Sequence, residues 1–196
     1  MLGEGKGRTV TVFCGTQLGR DVRYLQAVQS LGAGLAKAGV RIAYGGGSVG
    51  LMGALADAAL ANGGEVLGIV PHFMVQSERL HPGITDVEVT DSLHTRKQRM
   101  FEVADGFVSM PGGIGTLDET VEVITWRQLG LHEKPIFLCD VAGSASPVLR
   151  AIDAAISRGF APPEVRNLFQ VTGDVSVVVE CVRALASAPP AAANRL

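Results

Sequence analysis

Cysteine is scarce in this chain of 196 residues, and what there is does not cluster: Cys14, Cys139 and Cys181 are odd in number and far apart, with no C-x-x-C pair. That excludes a disulfide framework and a zinc knuckle, and it fits a reducing cytoplasm. No apolar run reaches the roughly 18 residues of a membrane helix, and the opening MLGEGKGRTV lacks the apolar stretch of a secretory signal. The chain is read as soluble and unexported, with no membrane partner. An excess of charge is missing too. The formal net charge is −2 against 47% apolar residues, so neither a disordered acidic tail nor a nucleic-acid-binding face is expected. A small ligand suits this balance better than a polymer. Nor is there a G-x-x-x-x-G-K-[ST] run, which removes a P-loop triphosphate site.

What is present is a steady alternation. Short β-branched runs (TVTVFC, RIAY, EVLGIV, DVEV, GFVSM, PIFLCD) are interleaved with stretches of helical period at 21–38, 50–61, 92–104, 116–129 and 146–158, and a closing helix runs from Asp174 to about Ala186. Strand and helix in succession predict an α/β, Rossmann-like, doubly wound parallel sheet in one domain, spanning residues 1–188. Gly39, the run Asn62-Gly63-Gly64, and Gly159 stand where helices end, as left-handed C-caps require. Residues 189–196, with two prolines and little to bury, are expected to form a flexible tail.

Two glycine-rich loops follow strands. In YGGGSVGLMG, Gly45, Gly47 and Gly50 satisfy G-x-G-x-x-G and open a helix, as in dinucleotide folds. A nicotinamide site also needs an acidic residue at the end of the next strand, yet that strand ends GIVPHF and Glu65 stands at its beginning. Tight packing of a helix on the sheet accounts for the same glycines. The second loop, PGGIGT, lies after GFVSM, at the strand end where open parallel sheets bind ligands. Backbone N–H groups at Gly112, Gly113 and Gly115, with the Thr116 hydroxyl, suit one phosphate at the positive end of a helix beginning at Thr116. That helix is expected to turn Leu117, Val121, Ile124 and Trp126 or Leu129 toward the core. Thr116-x-x-Glu119 reads as a capping box or as a functional carboxylate that the helix dipole keeps ionised.

In SLHTRKQRMFEVA, Ser92 is a predicted N-cap and Leu93, Met100, Val103 and Ala104 mark an inward stripe. The stripe's middle turn is missing, and Arg96 and Lys97 stand in its place. Either the two side chains snorkel out to water, or a cation sits on the buried face.

Together, H-x-R-K (His94 to Lys97) and P-G-G-x-G-T-x-x-E (Pro111 to Glu119) resemble the LOG family of cytokinin-activating phosphoribohydrolases, some members of which have carried the label "lysine decarboxylase". The resemblance runs from Val12 to about Phe160. It implies hydrolysis of the N-glycosidic bond of N6-modified adenosine 5′-monophosphates to free base and ribose 5-phosphate. Arg96 and Glu119 would be catalytic. Lys97, Gly112, Gly113, Ile114, Gly115, Thr116, Thr125 and Glu78, with Gly46 and Gly47, would bind substrate. It also implies no metal, no cofactor and a homodimer with its sites near a helical interface. Two departures stand out, Ser144-Ala145 where relatives commonly carry aromatic residues, and Arg127 where many carry a small one; both are expected at the base pocket or dimer contact, so plain AMP enters as a substrate. The alternatives are a non-catalytic nucleotide or pterin carrier, a nicotinamide oxidoreductase and a pyridoxal-dependent decarboxylase.

Overall fold

Each β-branched run forms a strand where the sequence places one: β1 (Thr9–Phe13), β2 (Arg41–Tyr44), β3 (Val66–Pro71), β4 (Asp86–Thr90), β5 (Gly106–Ser109) and β6 (Ile136–Cys139). A seventh, β7 (Gln170–Thr172), completes the sheet in the computed structural model, which describes residues 7–75 and 80–185. Only three residues long, exposed or half-buried at a sheet edge, β7 has no apolar pattern to announce it. The order is β4-β3-β2-β1-β5-β6-β7 and every pairing is parallel. The chain winds outward from β1 in one direction and, from β5, in the other. The expected doubly wound α/β sheet is therefore present, with its order reversing between β1 and β5. The proposed tail, 189–196, and Glu78 lie outside the described residues.

The connecting helices are α1 (Val22–Lys37), α2 (Gly50–Ala61), a single turn α3 (His72–Val75), α4 (Leu93–Val103), α5 (Ile114–Gln128), α6 (Ser146–Ser157) and α7 (Val175–Ala184). Val28, Leu31 and Leu35 of α1, Leu51 and Leu55 of α2 and Val178 and Val182 of α7 pack on one face of the sheet. Met100 of α4, Val123 and Ile124 of α5 and Val148 of α6 cover the other with Phe13, Phe107 and Leu138. Sequence signals account for the helix ends. Asp21 and Asp174 accept N–H groups at the starts of α1 and α7, Ser92 and Thr95 form a reciprocal cap on α4, and Gly39, Gly63 and Gly159 take φ of +67°, +73° and +78°. Among the described residues no helix is long and apolar enough to cross a membrane.

Two expectations need correction. Helix α5 begins at Ile114, capped by Gly113, not at Thr116. Its buried face is Thr116, Glu119, Thr120, Val123 and Ile124, whereas Val121 and Leu129 are exposed at 46% and 67%. Glu119 and Thr120 take inward positions because each finds a partner there, in Arg96 and in Ser109, which offsets the cost of burying them. On α4, Leu93 is likewise exposed rather than inward.

Candidate active site

Ligands of open parallel sheets bind beyond the strand C-termini where the winding reverses, which here means the loops after β1 and β5. Gly15 stands in the first and Gly112 in the second. The Gly15 N–H donates to the Pro111 carbonyl at 3.0 Å, and a Cβ on Gly15 would lie 3.2 Å from Gly112 Cα. The two loops are in backbone contact, as a shared floor requires.

Helix α5 rises from this floor. A Cβ on Gly112 would fall 2.1 Å from Thr116 Oγ1, so only glycine lets the Thr116 hydroxyl lie against the loop. Gly113 and Gly115 face open space, and Ile114 is 82% exposed. The Leu117 N–H donates to the Gly113 carbonyl, but among the described residues no hydrogen bond occupies the N–H groups of Gly113, Ile114, Gly115 and Thr116. Four converging donors at the positive end of a 15-residue helix form an anion-attracting nest.

The first glycine loop is built differently. Leu51 and Met52, in the first turn of α2, donate their N–H groups to the Gly15 carbonyl at 3.1 and 3.2 Å. Its helix end is thus already satisfied from within the fold. Gly50 takes φ +62° with Thr16 O 2.2 Å from where a Cβ would stand, and Gly46, at φ +83°, packs against Val70. Gly46 and Gly47 are buried, their carbonyls accepting from the His81 N–H and the Tyr44 hydroxyl. Of the two readings of G-x-G-x-x-G, tight helix packing is the one the contacts match, and α2 offers no free N-terminal amides at Leu51 and Met52 for a pyrophosphate.

What this loop does provide is room for Arg96. A Cβ on Gly45 would lie 2.7 Å from Arg96 Nη2. The guanidinium enters from α4, donates from Nε to the Ile69 carbonyl at 3.1 Å, and from Nη1 to Glu119 Oε1 at 2.9 Å. The side chains are 11% and 9% exposed. The cation in the interrupted stripe is therefore inside, and Arg96 does not snorkel. Glu119, in the second turn of α5, is not the capping-box residue. Burial pushes its carboxyl above the usual range while Arg96, and more weakly Lys97, pull it back. Beneath it, burial and then the Glu119 charge raise the Cys14 thiol, leaving it protonated and unreactive.

Lys97 lies one position outward, bonded to Glu122 at 2.9 Å and Asp118 at 3.1 Å. Partial burial disfavours its charge, but these two carboxylates more than offset that and raise its pKa. The carboxylates are four residues apart on one helix face, a spacing visible in the sequence but not singled out there. Thr125 sits farther along the outer face of α5, with Ile114, Leu117, Val121 and Trp126 beside an open groove of about 500 Å³. The structure does not bring it to the Arg96–Glu119 pair. Arg127 Nη1 donates to the Lys134 and Leu168 carbonyls, clasping two loops behind α5. Ser144 and Ala145 likewise serve their own turn, donating to the Cys139 carbonyl and to Asp140 Oδ1. Among the described residues no group of three His, Cys, Asp or Glu side chains is placed to hold a metal ion.

Residues 52–182 match the family described as "Possible lysine decarboxylase". Over 177 residues the chain is 41% identical to the cytokinin riboside 5′-monophosphate phosphoribohydrolase of Rhodococcoides fascians, covering 90% of this chain and 89% of that one. The chain belongs to the LOG family. A second LOG relative, the cytokinin riboside 5′-monophosphate phosphoribohydrolase of Arabidopsis thaliana, is 39% identical over 165 residues, 84% of this chain and 78% of its own. Among solved structures, the molybdenum cofactor carrier protein of Chlamydomonas reinhardtii matches with a TM-score of 0.67 at 19% identity, covering 91% of this chain and 97% of that one. The molybdenum cofactor binding protein of Rippkaea orientalis matches at 0.69 and 18%, covering 92% and 98%. These two likenesses show that the fold is shared.

The family's descriptive label does not suit the site. A pyridoxal-dependent decarboxylase needs a lysine free to bond the cofactor and a partner for its ring nitrogen. Lys97 is held by two carboxylates, Lys134 donates to the Phe101 carbonyl at 2.7 Å, and Lys37 closes α1 at the opposite end of the sheet.

Proposed function

We propose that the protein hydrolyses the N-glycosidic bond of adenosine 5′-monophosphates, N6-modified or plain, releasing free base and ribose 5-phosphate. The observation that carries this reading is the buried Arg96–Glu119 pair beside the amide nest of PGGIGT, in a chain about 40% identical to enzymes named for that reaction. The nest takes the 5′-phosphate and fixes the nucleotide by a part that does not react, so that binding energy is used to hold the scissile bond in place. As C1′–N9 breaks, its electron pair leaves with the base and positive charge develops on the sugar. An ionised Glu119 stabilises that charge through the ribose hydroxyls and orients the water that adds to C1′, accepting the proton that then passes to the purine anion to give the free base. Arg96 is charged throughout and stabilises the negative charge on the departing purine. Lys97 donates to the nucleotide with the ammonium N–H that Asp118 and Glu122 leave free. Neither a metal nor a cofactor enters this scheme.

The same reading makes the protein a cytoplasmic homodimer. Its contact surface is the outer face of α5, where Ile114, Val121 and Leu129 are exposed at 82%, 46% and 67%. Thr125 lies on that face and reaches a nucleotide across the contact.

The test is an end-point assay of purified protein with AMP and with N6-isopentenyl-AMP, detecting base and ribose 5-phosphate, with Glu119→Gln alongside. Turnover falls about 10³-fold in the variant, while nucleotide affinity by calorimetry is retained. A fully active Gln variant overturns the mechanism. Retained AMP binding with no base release from the wild type would make the protein a carrier.

A further inference from the structure

Arg96 and Glu119 come from different helices, and their contact depends on how α4 and α5 are seated on the sheet. Two buried hydroxyls do the seating. Thr11, fully buried in β1, donates from Oγ1 to the Met100 carbonyl of α4 at 2.7 Å. Met100 lies in the last turn, so this carbonyl has no partner further along the helix. On the adjacent strand, Ser109 of β5 lies 2.7 Å, hydroxyl to hydroxyl, from Thr120 of α5, which is 1% exposed. Thr120 Oγ1 is 2.6 Å from the Thr116 carbonyl. A hydroxyl has one proton to give. Thr120 gives its proton to Thr116, so Ser109 must donate to Thr120.

Thr11 pairs in register with Phe107 and Phe13 with Ser109. Thr11 and Ser109 therefore point to the same face of neighbouring strands, two residues apart along the sheet. Each ties down one helix of the catalytic pair: Thr11 four residues from Arg96's turn, at Met100, and Ser109 through the residue next to Glu119. An apolar contact is non-directional, whereas a hydrogen bond weakens steeply as its angle degrades and so resists sliding of the helix along the strand. We propose that Thr11 and the Ser109–Thr120 pair are positioning residues, which set the register of α4 and α5 so that Arg96 and Glu119 meet the substrate in one fixed geometry.

The inference rests on the phosphoribohydrolase reading, and its test keeps the two apart. Thr120→Val, Thr11→Val, Ser109→Ala and Thr120→Ser are compared with wild type by kcat, KM, the acid limb of the pH profile and Tm. Thr120→Val and Thr11→Val lower kcat about tenfold with KM changing by less than about threefold, because the reacting groups are misplaced while the phosphate nest remains. The acid limb moves as well, since Glu119 titrates against an Arg96 at altered distance. Ser109→Ala, at a half-buried position, shows the same change to a smaller extent, and Thr120→Ser restores wild-type behaviour. Variants that melt earlier but keep wild-type kcat and acid limb overturn the proposal, because the hydroxyls then hold only the fold. If the wild type releases no base, the enzymatic reading fails. The titration of the Glu119 carboxyl followed by carbon NMR then decides: a shift in Thr120→Val that Thr120→Ser reverses supports positioning, and an unshifted titration overturns it.

Discussion

At the scale of single residues, the site is an ion pair in the wrong place for stability alone. Taking two charges out of water costs more than their attraction returns unless both are well hydrogen-bonded, and here Arg96 has two acceptors. Breaking the pair shows what it holds. Arg96→Ala leaves the Glu119 carboxylate buried without its partner, so stability at neutral pH drops by about 3 kcal/mol. The loss shrinks on acidification as Glu119 takes up a proton, a pH dependence that denaturant titrations at several pH values will detect. In the proposed mechanism the ionised carboxylate is the working form, and burial has raised its pKa. Activity is therefore lost as pH falls through a value above the ordinary carboxylate range. In kcat profiles this acid limb is absent from the residual activity of Glu119→Gln. A limb at ordinary carboxylate pH would mean that Arg96 outweighs burial.

At the scale of elements, the N-terminus of α5 separates binding from stability. Gly115 is a helical residue with nothing within 4 Å of a would-be Cβ. Gly115→Ala therefore stabilises the helix by about 1 kcal/mol, yet it places a methyl group where a phosphate must approach the backbone. Expected together are a higher Tm and a KM raised about tenfold or more; a higher Tm with unchanged KM would remove Gly115 from the nest. Gly112→Ala differs, because its Cβ would collide with Thr116 and disturb the turn itself. The alternation of runs made the six longer strands and helices α1, α2, α4, α5 and α6 readable, though not the single turn α3, and Ser92 was readable as a cap. The start of α5 was not readable, because a helix that begins Ile-Gly-Thr hides behind its own glycines. Its inward face was not either: pattern reading assigns the core to apolar residues, and Glu119 and Thr120 are buried through partners on α4 and β5 that no local pattern reveals.

At the scale of the whole molecule, the winding order follows from sequential parallel strands, and the site falls where winding reverses, so motif and topology agree on its location. The sequence carries no direct sign of the oligomer. The helical period of α5 predicts Leu117, Val121, Ile124 and Trp126 or Leu129 inward. In the folded chain Ile124 is buried and Leu117 packs against the core, whereas Ile114, Val121 and Leu129 form an exposed apolar stripe. In the proposed homodimer a second copy meeting this side about a two-fold axis would cover both stripes at once. Lys97, Asp118 and Glu122 border the stripe, as a polar rim borders an interface core. Val121→Asp puts a charge at the centre of this contact and leaves the catalytic pair and the amide nest untouched. Sedimentation equilibrium is expected to give a dimer for wild type and a monomer for the variant, with turnover reduced at least tenfold because Thr125 no longer reaches the neighbouring nucleotide. A wild-type monomer with full activity would show that one chain suffices for the reaction. A dimeric Val121→Asp would place the contact on another face.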